Sequence, residues 1–207
     1  MKITKIKEDI TPEIASSFKN SIAIDTEATG LQIPERDKLS LIQICDDSQN
    51  VFIIQPNKSN FKAPNLVSVL ENEKILKIGH FLRFDKNALE FFLKCKMKNI
   101  FDTKIASKIV RTYTDAHGLK NLVQEFCNKT LDKRFGSSDW NKDINKLSDK
   151  QLEYAANDVI YLHKIKSELE IMLNRENRME IFNKCLTFLD TRVELDQKGF
   201  KEDIFEH

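Results

Sequence analysis

Residues 21–31 read SIAIDTEATGL. An apolar run, Ile22-Ala23-Ile24, leads directly into Asp25, and Glu27 follows two places on. Such a run, closed by the turn-like Ala28-Thr29-Gly30, predicts a buried strand over 22–26. Side chains two apart on a strand point the same way, so Asp25 and Glu27 share a face at its carboxyl end. Like charges that close repel, and burial makes ionisation costlier still. A positive partner is needed, and lysine, arginine and a metal ion are the options. The plainer alternative is two surface acids in a loop.

Around this stretch strands and helices alternate. KLSLIQIC (38–45) predicts a second strand, Asp46–Asn50 a hairpin turn, and Val51–Ile54 a third strand antiparallel to the second. Asn65–Asn72 has helical spacing, Ile75–Gly79 reads as a buried strand, and Phe84–Lys94 as a helix with Leu89, Phe92 and Leu93 on its apolar side. Asn99–Asp102 closes the strands. Helical patterns follow over Thr103–Tyr113, Gly118–Cys127, one long stretch from Ser148 to about Leu173, and Glu180–Leu189. Ser148 and Gln151 form an S-x-x-Q capping box at the start of the long one. The polar stretch Asn128–Lys146 reads as a loop able to shape a site. The fold class expected is α/β: a mixed five-stranded sheet flanked by helices, with a helical C-terminal part.

A chain of 207 residues fits one domain with a decoration: 1–207, with a core of about 20–175 and a helical extension over 176–207. Its 33 basic and 32 acidic residues nearly balance, which argues against coating long nucleic acid through a global basic field. Cys45, Cys95, Cys127 and Cys185 are far apart and show no zinc spacing, so free thiols in a reducing cytoplasm are expected. No apolar signal core or membrane-length run is present, and the expected location is cytoplasmic.

Two further stretches carry acids in telling places. In KIGHFLRFDKNAL (77–89), Asp85 follows a strand and a Gly-His turn and opens a helix; an acid there also suits the helix dipole alone. In QLEYAANDVIYLHKI (151–165), Tyr154 and Asp158 lie four apart and share a helix face; the alternative is a solvated acid beside a packed tyrosine.

A strand carrying D-x-E, then H-x4-D entering a helix, then Y-x3-D in a late helix resembles the DEDD superfamily of 3′→5′ exonucleases. The tyrosine four places before the last aspartate is similar to the DEDDy branch, typified by ribonuclease D. FDTKIA (101–106) and SSDWNKDINKLSDKQLEYAANDVIYL (137–162) look like ribonuclease D as well. The ending CLTFLDTRVELDQKGFKEDIFEH (185–207) resembles the small stand-alone bacterial members of nano-RNase C type. The resemblance implies a ribonuclease-H-like fold, short RNA as substrate, closed homo-oligomers and no helical accessory domains. Many DEDD exonucleases have Asn where this chain has Phe81; that departure bears on substrate contact, not on metal binding.

The resemblance also implies a site. Asp25, Glu27, Asp85 and Asp158 would hold two divalent cations, Mg²⁺ or Mn²⁺, roughly 4 Å apart. Asp25 would bridge both, and Tyr154 would orient the attacking water, since a phenol of pKa about 10 is a poor base. Expected substrate contacts are Thr26, Leu31, His80, Phe81, Arg83 and Trp140. Leu31 would wedge between bases or belong to the core; His80 would touch a phosphate or hold its turn; Trp140 would stack a base or anchor its loop. Arg83 and the pair Lys133-Arg134 would meet phosphates or be merely solvated. Gln43, from its alternation within the second strand, would hydrogen-bond near the site or be satisfied within the structure. The function expected is a 3′→5′ exoribonuclease acting on short oligoribonucleotides, dinucleotides included. The alternatives are a broader exonuclease trimming structured RNA or single-stranded DNA, and a non-catalytic RNA-binding module.

Overall fold

The computed structural model describes residues 2–33, 35–131, 138–200, 202 and 204. Its strands are β1 (Lys2–Lys7), β2 (Ser21–Ala28), β3 (Leu39–Asp46), β4 (Asn50–Gln55), β5 (Leu76–Gly79) and β6 (Ile100–Asp102). Its helices are α1 (Pro12–Ser17), α2 (Pro64–Glu71), α3 (Leu82–Leu93), α4 (Thr103–Val110), α5 (Leu119–Cys127), α6 (Asp149–Ile160), α7 (Leu162–Arg175) and α8 (Met179–Gln197). A short 3₁₀ turn covers Ile144–Lys146.

The sheet order is β1-β4-β3-β2-β5-β6. Only β3 runs against the rest, pairing antiparallel with β2 and β4, while β1/β4, β2/β5 and β5/β6 are parallel. The sheet therefore has six strands, not the expected five; the addition is β1. Its sequence, KITKIK, carries lysines at 2, 5 and 7 and no continuous apolar run, because it is an edge strand paired only with β4.

Alternation along β2 divides two cores. Ile22 and Ile24 point to the layer formed by α1, α2 and α3; Ala23 points to the layer formed by α4 to α7. The hairpin turn is closed by Asp46, whose Oδ1 accepts from the backbone N–H of Ser48 (2.9 Å) and Asn50 (2.8 Å). The capping box forms: Ser148 Oγ accepts from Gln151 N–H at 3.3 Å, and Gln151 Oε1 accepts from Ser148 N–H at 3.1 Å.

The long helix expected from Ser148 to about Leu173 breaks at Tyr161, whose ψ of −10° departs from the helical value. The break lets α6 lie across β2, β3 and β4 while α7 packs against α4, α5 and β5. The last helix is longer than expected and belongs to both cores: Phe182 packs in one, Leu189 and Val193 in the other.

Candidate active site

The carboxyl end of β2 carries Asp25, Thr26 and Glu27. Asp25 and Glu27 face α6, and the register shifts between Glu27 and Ala28, a bulge of the kind that re-aims side chains beside sites. On the facing helix, Tyr154 and Asp158 project from one side of α6. Oxygens of Asp25, Glu27 and Asp158 lie within 4.8 Å of one another. Thr26 points the opposite way, toward α3, where its Oγ1 donates to Asp85 Oδ1 at 2.6 Å. Asp85, on the first turn of α3, is only 3% exposed. Three of the four expected metal carboxylates thus converge directly, and the fourth is held beside them by a threonine. Thr26, expected to contact substrate, is itself buried and committed to Asp85.

The electrostatics record the crowding. Burial, and then the charges of Asp85, Asp158 and Glu27, push the Asp25 carboxyl well above the usual range. Burial, then Asp158 and Asp85, push Glu27 up to about 9. Burial lifts Asp85 to about 7, against the downward pull of the Thr26 hydroxyl. The Tyr154 phenol is raised too, by burial and then by Asp158, Glu27 and Asp25. No lysine or arginine is among the principal influences on any of these groups. Hard oxygen donors gathered this closely fit a hard divalent cation.

The turn after β2 is organised by Asp37. Its carboxylate accepts from Gln32 N–H at 2.9 Å and Thr29 Oγ1 at 3.4 Å. A Cβ on Gly30 would sit 2.5 Å from that carboxylate, so only glycine fits. This turn presents Leu31 at 84% exposure, which removes the core alternative for that leucine. Leu31 lines a cavity of about 370 Å³ with Phe81, Arg83, Phe84, Asn87 and Asp196 among its other walls.

Phe81, another wall of that cavity, is left-handed (φ 66°, ψ 50°), a strained conformation for a bulky residue. Asp102 holds it there: its carboxylate accepts from the N–H of Phe81 (3.2 Å) and Leu82 (2.7 Å), and also from Lys104 and Ile105 at the start of α4. The Phe81 ring is 46% exposed, with Lys104 Nζ 4.3 Å from its centroid. His80 Nδ1 lies 3.0 Å from the Thr103 hydroxyl, which donates to the Gly79 carbonyl at 2.9 Å. Arg83 binds Asp196 of α8 through Nε and Nη2, both at 2.8 Å, so its charge is paired within the protein.

Trp140 is a correction. It is 3% exposed and lies against Tyr154, centroids 6.0 Å apart and planes 30° from parallel. A buried ring offers no face to an incoming base; it supports the tyrosine and anchors its loop. Lys133 and Arg134 lie outside the described residues. Asp102, Asp37 and Lys104 were not expected in the site's surroundings. Asp102 had a signal, since an aspartate directly before a helix is a strong N-cap; Asp37 and Lys104 had none, because their partners are set by the fold.

Comparison with known proteins agrees with this geometry. A family model described as 3′-5′ exonuclease matches residues 4–174. DNA polymerase I of Aquifex aeolicus is 34% identical over 153 residues, 73% of this chain and 24% of that protein. Ribonuclease D of Haemophilus influenzae is 34% identical over 157 residues, 73% of this chain and 37% of that protein. The chain therefore spans about a quarter and just over a third of the lengths of these two relatives. Brucella melitensis NrnC with bound Mg²⁺ superposes with a TM-score of 0.91 at 42% identity, covering 100% of both chains. NrnC bound to pGG gives 0.92 at 42% identity, covering 100% of this chain and 99% of the other. The chain belongs to the 3′-5′ exonuclease family of phosphodiester hydrolases and is of the ribonuclease D and NrnC type.

Proposed function

We propose that the protein is a metal-dependent 3′→5′ exoribonuclease that hydrolyses short oligoribonucleotides, dinucleotides included, to 5′-mononucleotides. One observation carries the reading: Asp25, Glu27 and Asp158 converge within 4.8 Å with Asp85 tied alongside by Thr26. These four carboxylates would hold two divalent cations, Mg²⁺ or Mn²⁺. When bound, such cations supply charge stabilisation for the attacking and leaving oxygens of in-line displacement. Asp25, whose carboxyl feels Asp85, Asp158 and Glu27 together, would be the central ligand of that set. Thr26 sets the rotamer of Asp85. Tyr154 keeps its proton, since its surroundings raise the phenol, and its hydroxyl orients a water rather than deprotonating it.

Leu31 and Phe81, both exposed and both lining the cavity, are the surfaces on which terminal bases rest. Short substrates are favoured because NrnC, similar over the full chain, has been seen with pGG. His80 and Lys104 stand by Phe81 to meet phosphate. A homo-oligomer is part of the proposal; the exposed Ile171, Ile181 and Phe188 of α7 and α8 support it.

The test is hydrolysis of 5′-labelled RNA of about two, seven and twenty nucleotides with Mg²⁺, Mn²⁺ or EDTA. Rapid, metal-dependent loss of the dinucleotide is expected. Trimming of the long RNA that stalls above two nucleotides would instead indicate a ribonuclease-D-like trimming enzyme. No cleavage at any length would leave a binding module.

A further inference from the structure

Gln43 sits where the fold has no use for an amide. It lies at the centre of β3, between the buried Leu41 and Cys45, and pairs across the sheet with Ile53 on one side and Asp25 on the other. Its side chain is 0% exposed, and neither Nε2 nor Oε1 has a hydrogen-bond partner among the described residues. Cross-strand partners share a face with Cβ atoms roughly 5 Å apart, so the amide stands next to the Asp25 carboxylate, beneath α6. Burying an unpartnered amide is destabilising, and an aliphatic side chain would fill the row as its neighbours do.

The chemistry of glutamine suits that place. A lysine or arginine there would compete with a cation for the acids. A further carboxylate would add to their repulsion. A neutral amide donates a hydrogen bond without altering the charge of the site.

We propose that Gln43 is a positioning residue: its Nε2–H donates to the Asp25 carboxylate in the metal-loaded protein and fixes which oxygen Asp25 turns toward the cation. The inference rests on the proposed metal site and adds a residue that supports it from below. Groups holding a ligand in this way change metal affinity or activity by about 10–100-fold when removed.

The test compares wild type with Gln43→Met, which keeps length and packing but loses the amide. Mg²⁺ and Mn²⁺ affinity is read by calorimetry, and dinucleotide turnover separately. The expected result is cation affinity and kcat weakened by about 10–100-fold, KM within about threefold, and a metal-free melting temperature equal to or above wild type. A purely structural glutamine would leave cation affinity unmoved, and a variant that binds and turns over like wild type overturns the inference. If Gln43→Met fails a circular-dichroism check of folding, Gln43→Asn carries the test. One methylene too short, it should also lose about tenfold in affinity, and wild-type affinity there overturns the proposal. Wild type that binds neither cation would overturn the metal-site reading itself, and this inference with it.

Discussion

Asp25, Glu27 and Asp85 hold protons more tightly in the folded chain than in the unfolded one, where carboxylates titrate near 4. The folded state then binds more protons, and stability falls as pH rises. The metal-free protein should lose stability progressively from about pH 4, through about 7 for Asp85, to about 9 for Glu27. Melting temperatures in EDTA should therefore be lower at pH 8.5 than at pH 5.5. Added Mn²⁺ should raise them more at the higher pH, where cations need not displace protons. A flat profile with and without Mn²⁺ would contradict the cluster as described. Leu31, 84% exposed, makes an opposite prediction. Leu31→Ala should leave stability within about 0.5 kcal/mol, yet weaken dinucleotide KM or turnover about tenfold, the worth of one leucine packed against a base. Unchanged steady-state kinetics would remove its wedge role. At this scale the acids were legible, because D-x-E on a strand and Y-x3-D on a helix fix which side chains share a face. Burial was not. Nothing in the polar stretch GSSDWNKD (136–143) distinguishes a tryptophan that stacks a base from one packed on Tyr154.

At the level of elements, the site depends on α6 crossing the end of β2 and on the loop that lays Trp140 against Tyr154. The chain has one tryptophan, so its emission reports this contact alone. Saturating Mg²⁺ should shift the intensity or maximum of that emission, and Asp158→Asn should suppress the change. Emission that stays constant through the titration would mean that the Tyr154–Trp140 stack is insulated from the acids. The start of α6 was readable from Ser148 and Gln151, because a capping box is local chemistry. Its end was not: Tyr161 is neither proline nor glycine, and the break follows from two helix segments packing on different layers. β1 escaped notice for a related reason, since an edge strand with spaced lysines has no apolar signature until β4 lies beside it.

For the whole molecule, α8 ties the two layers to the site. It places Phe182 in one core and Leu189 and Val193 in the other, and its Asp196 clasps Arg83 of α3, two residues before Asp85. Lys86, buried on α3, reaches Glu90 at 2.5 Å and Asp190 of α8 at 3.0 Å. A chain ending at residue 178 would lose three buried apolar side chains worth about 1.5–3 kcal/mol each, a large part of a typical domain's stability. It should lose cooperative unfolding by calorimetry; a wild-type melting curve would show that α8 is dispensable. The α/β class and the antiparallel β3–β4 hairpin followed from the sequence because apolar runs and turns alternate there. The integration of α8 did not, since its apolar residues face two cores and leave no single stripe. The central claim, a carboxylate cluster that holds cations for phosphodiester hydrolysis, is tested most directly by Asp25→Asn. Dinucleotide hydrolysis is measured beside wild type, with melting temperature as the check on folding. Loss of turnover on the order of 10³-fold or more, with the fold intact, is the predicted result. Wild-type turnover by Asp25→Asn would contradict the assignment.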